Sequence, residues 1–222
     1  MILANVTDWL FNRANKKEDK PLLIPKNKTA LKILETATEL FAEQGFDGAK
    51  MDDLCARSGA NKASIYYHFK DKANLYEVVL TRLFQTIVDQ VIVAVDAEKD
   101  LVAKLDALIE TFAKATYQNK QMPAALMREI ASGGTHMPVP ARAQMQRLLH
   151  CLKQILDAGE QAALFHSANP LTIHFMIIGS ICFFNTSEPM RRSIDSDIQV
   201  DPSLDQAIVE ISTLVRNALL KA

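Results

Sequence analysis

Between Asn61 and Lys72 the chain reads NKASIYYHFKDK, with two tyrosines, a histidine and a phenylalanine in consecutive positions bracketed by lysines. Aromatic rings with polar tips beside cations suit the non-covalent capture of a polyanion. Ammonium groups and phenolic hydroxyls bind phosphate oxygens, and small side chains let a backbone approach base edges. On a helical wheel started at Lys62, Ile65 falls at about 300° and Phe69 at about 340°, so the outward face is centred near about 140°, where Tyr67 lies. Ala63 and Ser64 flank Tyr67, Tyr66 and His68 occupy the shoulders, and Lys62 stands at the helix start. Ala63 can touch a thymine methyl and Ser64 can donate to or accept from either kind of base edge, which makes them candidate sequence readers. The hydroxyls of Tyr66 and Tyr67, with His68, Lys62 and Lys72, are placed for phosphates, whose contacts fix register and supply salt-dependent affinity. Taken without their surroundings, the same aromatics read more readily as a helix-packing contact with idle hydroxyls; the surrounding pattern reverses that preference.

Other chemistries find less support. There is no glycine-rich phosphate loop, no GxSxG and no spaced carboxylate pair. Cys151 has only His150 beside it, and adjacent helical residues diverge by about 100°, which argues against a nucleophile–base dyad. His136, His150, His166 and His174 include no i, i+4 pair on one helix, so no metal site is expected. Cys55, Cys151 and Cys182 are odd in number and dispersed among apolar residues, reading as reduced packing thiols. No catalytic residue, metal or cofactor is assigned. Net charge is −1, with 12 basic against 10 acidic residues in 1–76 and 13 against 16 in 77–222, an asymmetry too weak to decide a partner. Asp8 interrupts the only apolar run at the N-terminus, and no stretch reaches the roughly eighteen uninterrupted apolar residues of a membrane span, so a cytoplasmic protein without membrane contact is expected.

The elements that must position Asn61–Lys72 are helices. Apolar residues recur at helical spacing, alternating strand patterns are absent, and glycines number seven, giving an all-α fold class. Residues 1–27 form a charged, proline-broken arm whose lysines, Lys16, Lys17, Lys20 and Lys26, with Lys28 beyond it, suit phosphate or a minor groove. A first helix starts near Thr29, with Leu31, Leu34, Ala37 and Phe41 on one face, and stops at Gly45, from which Phe46 turns back to the core. A second covers about Met51–Ser58, Gly59 and Ala60 turn, and Asn61 caps a third running to about Phe69. This is helix-turn-helix spacing, with Cys55 as the small residue at the crossing. Asp71 caps a long fourth helix carrying Leu75, Val79, Leu83, Ile87, Val91 and Ala94. Further helices are predicted near 100–118, 122–132, 140–164, 170–186 and 203–220, with 132–140 and 188–203 as breaks; Pro123, Pro140 and Pro170 lie near helix starts. The domains read as an arm (1–27), a three-helix DNA-binding domain (28–76) and a larger helical domain (77–222).

Residues 33–80, through LFAEQGF, DDLCARSGANKASIYYHF and KDKANLY in order and spacing, resemble the DNA-binding domain of the TetR/AcrR family of bacterial transcription regulators. The resemblance implies base contacts from Lys62, Ala63 and Ser64 and backbone contacts from Tyr66, Tyr67, His68 and Lys72. Three departures stand out: Ala49 and Lys50 where the family has Ser or Thr, Cys55 where it has Ala, and Ala63 where it has Gly. The first removes a helix cap and a hydroxyl contact, which Lys50 replaces with an ion pair to phosphate, while Asp52 and Asp53 favour the positive end of the second helix.

Residues 77–222 resemble the family's regulatory domain more loosely. The resemblance implies a pocket for an apolar small-molecule effector, to which Phe112, Met122, Leu126, Met127, Met145, Leu149, Phe175 and Met176 are assigned; any one methionine, taken singly, reads first as core filling. Tyr117, Arg128, Glu129, Gln144, His150 and His174 are polar candidates to orient a ligand, with adjacent Arg128 and Glu129 reading equally as an ion pair. It also implies a two-fold homodimer through 170–186 and 203–220, where Leu204, Ile208, Ile211, Val215 and Leu219 form a stripe and Gly179 and Ser180 allow close approach. The expected function is a repressor on a near-palindromic double-stranded operator, released by its effector. The alternative is a DNA-binding regulator, or a DNA-organising protein, controlled by a protein partner without a small ligand.

Overall fold

Asn27 opens the first helix by accepting Thr29 N–H at its side-chain oxygen (2.8 Å), a capping bond worth about 1 kcal/mol. The computed structural model describes residues 27–193 and 201–221; the predicted arm, apart from Asn27, lies outside them. Helix α1 spans Lys28–Gly48 and buries Ala30, Ile33, Leu34, Ala37, Leu40, Phe41 and Ala42. Leu31, expected on that face, is only half-buried. Regular winding is interrupted at Gly45 (φ 70°, ψ −175°), a conformation essentially restricted to glycine.

Helices α2 (Met51–Ser58) and α3 (Lys62–Phe69) pack on α1 and on each other. Gly59, in left-handed backbone (φ 70°), closes α2 by donating its N–H to Cys55 O (2.9 Å). Asn61 starts α3 by accepting Ser64 N–H (2.8 Å). The inner side of α3 is pinned by Ile65 and Phe69, 1% and 2% exposed, each burial contributing about 1.5–3 kcal/mol. After α3 the chain reverses through Lys70 (φ 62°, ψ −60°), where Asp71 N–H donates to Phe69 O (2.6 Å), a strained γ-turn geometry.

Asp71 then caps α4 (Lys72–Ala97) by accepting Asn74 N–H (2.7 Å). Helix α4 is long and apolar enough to cross a membrane, yet its apolar residues Leu75, Val79, Leu80, Phe84, Ile87, Val88, Val91 and Val95 are buried in the protein itself. Next come α5 (Leu101–Gln118), α6 (Gln121–Ala131), α7 (Val139–Gln161), α8 (Pro170–Thr186), α9 (Glu188–Ser193) and α10 (Leu204–Leu219). The short α9 falls in a segment read from sequence as a break. Among the described residues the only β-pairing is a single bridge between Phe165 and Leu220. The all-α class with a helix-turn-helix near its start is the observed fold.

The described residues form two compact units, 27–85 with 124–146, and 86–123 with 147–193 and 201–221. Residues 124–146 thus fall with the first three helices, where the sequence boundary at 76/77 separates them. The cause is a set of tertiary bonds: Arg128 Nε donates to Ala42 O (2.8 Å), the Tyr76 hydroxyl donates to Glu129 Oε1, and the His136 ring stacks on Phe46 (4.5 Å). In the second unit α10 packs on α5 and α8, and α5 on α8. There Asn185 Nδ2 donates to Thr116 Oγ1 (2.9 Å) and Arg216 pairs with Asp106 (3.0 Å). The end of α7 and the end of α10 meet at the bridge: His166 N–H donates to Leu219 O (2.7 Å), Lys221 N–H to Leu164 O (3.0 Å), and Gly159 lies directly under the Phe165 ring.

Candidate nucleic-acid interface

Helix α3 separates its residues as the wheel predicts. Tyr67 is 84% exposed and Tyr66 44%; Lys62 and Ala63 are exposed, while Ser64 and His68 are half-buried. The His68 ring meets Tyr67 edge-on at 5.1 Å. Lys62, Ala63, Ser64, Tyr66, Tyr67 and His68 are thus gathered on one short helix whose other side is anchored. Lys50, also exposed, is the N-cap residue of α2 and makes no side-chain cap bond, as expected where the capping hydroxyl is missing.

Two of the cations are engaged within the protein. Lys62 Nζ lies 2.6 Å from Asp52 Oδ1, and the hydrogen bond it donates to that carboxylate holds the ammonium's pKa above its ordinary value. Asp52, assigned from sequence only to the positive end of α2, thereby reaches the next helix. Lys72 Nζ sits over the Phe46 ring at 4.7 Å, a cation–π contact that draws it toward the α1 terminus. Neither pairing has a signal in the sequence, because both depend on the turn geometry between helices. Arg57 and Glu43 (2.7 Å) tie α2 to α1.

Outside this surface the assigned residues divide. Phe112, Met122, Leu126, Met145 and Leu149 are buried, and Met127 is half-buried. Phe175 (37%) and Met176 (46%) are exposed instead. Helix α8 is apolar nearly all round, so periodicity does not tell its inner face from its outer one; Ile173, His174, Ile177, Ile178, Ile181 and Cys182 form the inner face. Arg128 and Glu129 do not pair with each other, since neighbours on a helix diverge; they serve Ala42 O and the Tyr76 hydroxyl. His174 is buried beside Phe175 and its pKa is driven down to about 4 by burial. Tyr117 and His150 are exposed, and Gln144 is half-buried. Burial pushes the Cys182 thiol up to about 12 and raises Cys151 as well, so neither is an activated nucleophile. Among the described residues no three His, Cys, Asp or Glu side chains gather as a metal would need.

Residues 33–79 match the family model described as bacterial regulatory proteins, tetR family. Among curated proteins, the chain is 25% identical over 201 residues to the HTH-type transcriptional repressor NicS of Pseudomonas putida, spanning 88% of this chain and 92% of that one. It is 46% identical over 46 residues to the biofilm operon icaADBC negative transcriptional regulator IcaR of Staphylococcus aureus, covering 21% of this chain and 25% of IcaR. Among solved structures, a bacterial regulatory protein in the tetR family from Rhodococcus superposes with a TM-score of 0.71 at 16% identity, over 88% of this chain and 99% of that one.

Proposed function

We propose that this chain, which belongs to the tetR family of bacterial regulatory proteins and is a DNA-binding transcription regulator rather than an enzyme, is a repressor that grips a near-palindromic operator as a homodimer and releases it when an apolar small molecule binds. The observation that carries the reading is the two-sidedness of α3: Tyr67 is 84% exposed while Ile65 and Phe69, on the same two turns, are 1% and 2% exposed. A helix so anchored presents Lys62, Ala63 and Ser64 to base edges and Tyr66, Tyr67 and His68 to the flanking phosphates, with Lys50 at the start of α2 and Lys72 at the start of α4 as further phosphate contacts. In a dimer, two such helices enter successive major grooves about 34 Å apart, which sets the half-site spacing of the operator.

The second copy would be held by the outward faces of α8 and α10, where Phe183 (61%), Val209 (62%) and Leu214 (67%) stand in solvent in the single chain. Ile208, Val215 and Leu219 of the sequence stripe pack inward instead, so the exposed apolar residues of these two helices are the ones left for a subunit contact. Release is a coupling between effector and operator sites. A hundredfold loss of operator affinity needs about 2.7 kcal/mol of preference for the non-binding state, within reach of a modest difference in buried apolar surface.

The test is selection of duplexes from a random pool by the wild-type protein, followed by fluorescence anisotropy on the selected duplex and on base-substituted versions. Tyr67→Phe should weaken binding to all sequences alike, and replacements at Ala63 or Ser64 should shift base preference. Unchanged preference after both replacements refutes the base-reader assignment. Native mass spectrometry of the purified protein tests the effector: a co-purifying apolar molecule that lowers operator affinity supports it.

A further inference from the structure

The ion pair between Lys62 and Asp52 joins the first residue of α3 to the first turn of α2 across the helix-turn-helix, Nζ to Oδ1 2.6 Å, with both side chains largely open to solvent (52% and 77%). An ammonium carries three N–H donors. With one given to Asp52, two are left for an approaching acceptor, and what that acceptor is matters. A phosphate brought to Lys62 meets a neutralised cation and a carboxylate that repels it. A neutral acceptor on a base edge, such as guanine O6 or N7, carries only partial charge, is repelled far less and can share the ammonium with Asp52. The pairing thus penalises backbone contacts, which are made on any sequence, and spares base contacts, which are not.

We propose that Asp52 is a specificity-determining residue: by holding Lys62 it withholds that cation from phosphates on random DNA while leaving it able to read a base on the operator. This rests on the reading that the outer face of α3 enters a major groove. Asp52 acts through Lys62 and not by touching DNA. Its neighbour Asp53 lies on the same helix turn, half-buried and near Arg57, and provides a control of equal charge without the contact.

The experiment measures binding of the full chain to a random-sequence duplex and to a duplex selected from a random pool by the wild type, each between 50 and 200 mM salt. Asp52→Asn frees one cation per protomer, so the log–log salt slope on random duplex should steepen by about 0.9 per protomer, or about two units for a dimer. Affinity for random duplex at 50 mM salt should rise about tenfold while affinity for the selected duplex changes less than about threefold, lowering discrimination. In a Lys62→Ala background the same substitution should produce no gain. The inference is overturned if the gain persists without Lys62, since Asp52 would then only repel DNA, or if Asp53→Asn produces the same gain, or if the random-duplex slope does not move. Failure of the wild type to select any duplex would instead refute the reading of α3 on which it rests.

Discussion

Removing one oxygen from Tyr76 tests what joins α6 to the DNA-binding helices. The Tyr76 hydroxyl donates to Glu129 Oε1, Glu129 is 3% exposed, and its other oxygen, Oε2, has no hydrogen-bond partner. The ring itself packs edge-on against Phe41 (4.8 Å) and Phe46 (5.1 Å), contacts that phenylalanine keeps. Tyr76→Phe therefore deletes a hydrogen bond to a buried carboxylate and leaves that carboxylate with no donor, a loss of about 2–3 kcal/mol. For a chain of 222 residues this corresponds to a Tm lower by roughly 4–12 °C in thermal unfolding followed by circular dichroism. Burial first, and then the bond to Glu129, raise the Tyr76 pKa well above its ordinary value. The folded state thus holds the phenolic proton more tightly than the unfolded one. The stabilisation is whole below about pH 10 and declines as pH rises past it, a decline absent from the variant. A Tyr76→Phe protein within about 0.5 kcal/mol of wild type would show that Glu129 finds compensation elsewhere, and the clamp reasoning would be wrong.

Other positions give independent checks. His174 has its pKa lowered to about 4 by burial, so the wild type should lose about 3 kcal/mol as pH falls from about 6.5 to 4; His174→Leu should flatten that acid slope in urea titrations, and an unchanged slope would assign it to other groups. Lys70→Gly relieves a positive-φ turn and should raise stability by about 0.5–2 kcal/mol, strain relief outweighing added backbone entropy. Leu214→Asp puts a charge on an exposed apolar side chain and should shift sedimentation from dimer to monomer at micromolar concentration with far-UV helicity retained; an unaltered dimer would move the interface away from α10.

How far the sequence could be followed depended on how local each signal was. Asn61, Gly59 and Asp71 act within four residues of themselves, by a cap or a left-handed turn, and the helix ends they set lie where the residues predict. The outer face of α3 follows from two apolar residues a turn apart, and Tyr67 stands out accordingly. Non-local bonds left no such trace: Arg128 meets Ala42 across 86 residues and Tyr76 meets Glu129 across 53, so the grouping of 124–146 with the first helices was not readable. The outward position of Phe175 and Met176 was not readable for a different reason: an all-apolar helix has no amphipathic contrast to orient it. Lys62 and Asp52 show the middle case, each recognised for its own end of a helix, with their meeting visible only once the turn is built.

Gly159 carries a wider consequence than its size suggests. Any side-chain carbon there would overlap the ring of Phe165, and that fully buried ring sits between the two backbone bonds that fasten Leu164 and His166 to Lys221 and Leu219, so displacing it strains both. One added methyl group would therefore fray α10 from its far end, loosening the scaffold that displays Val209 and Leu214. Defects in quaternary assembly would then arise from a lesion remote from the surface that assembles, and a screen for loss of oligomerisation should recover changes at this glycine alongside those on the exposed faces.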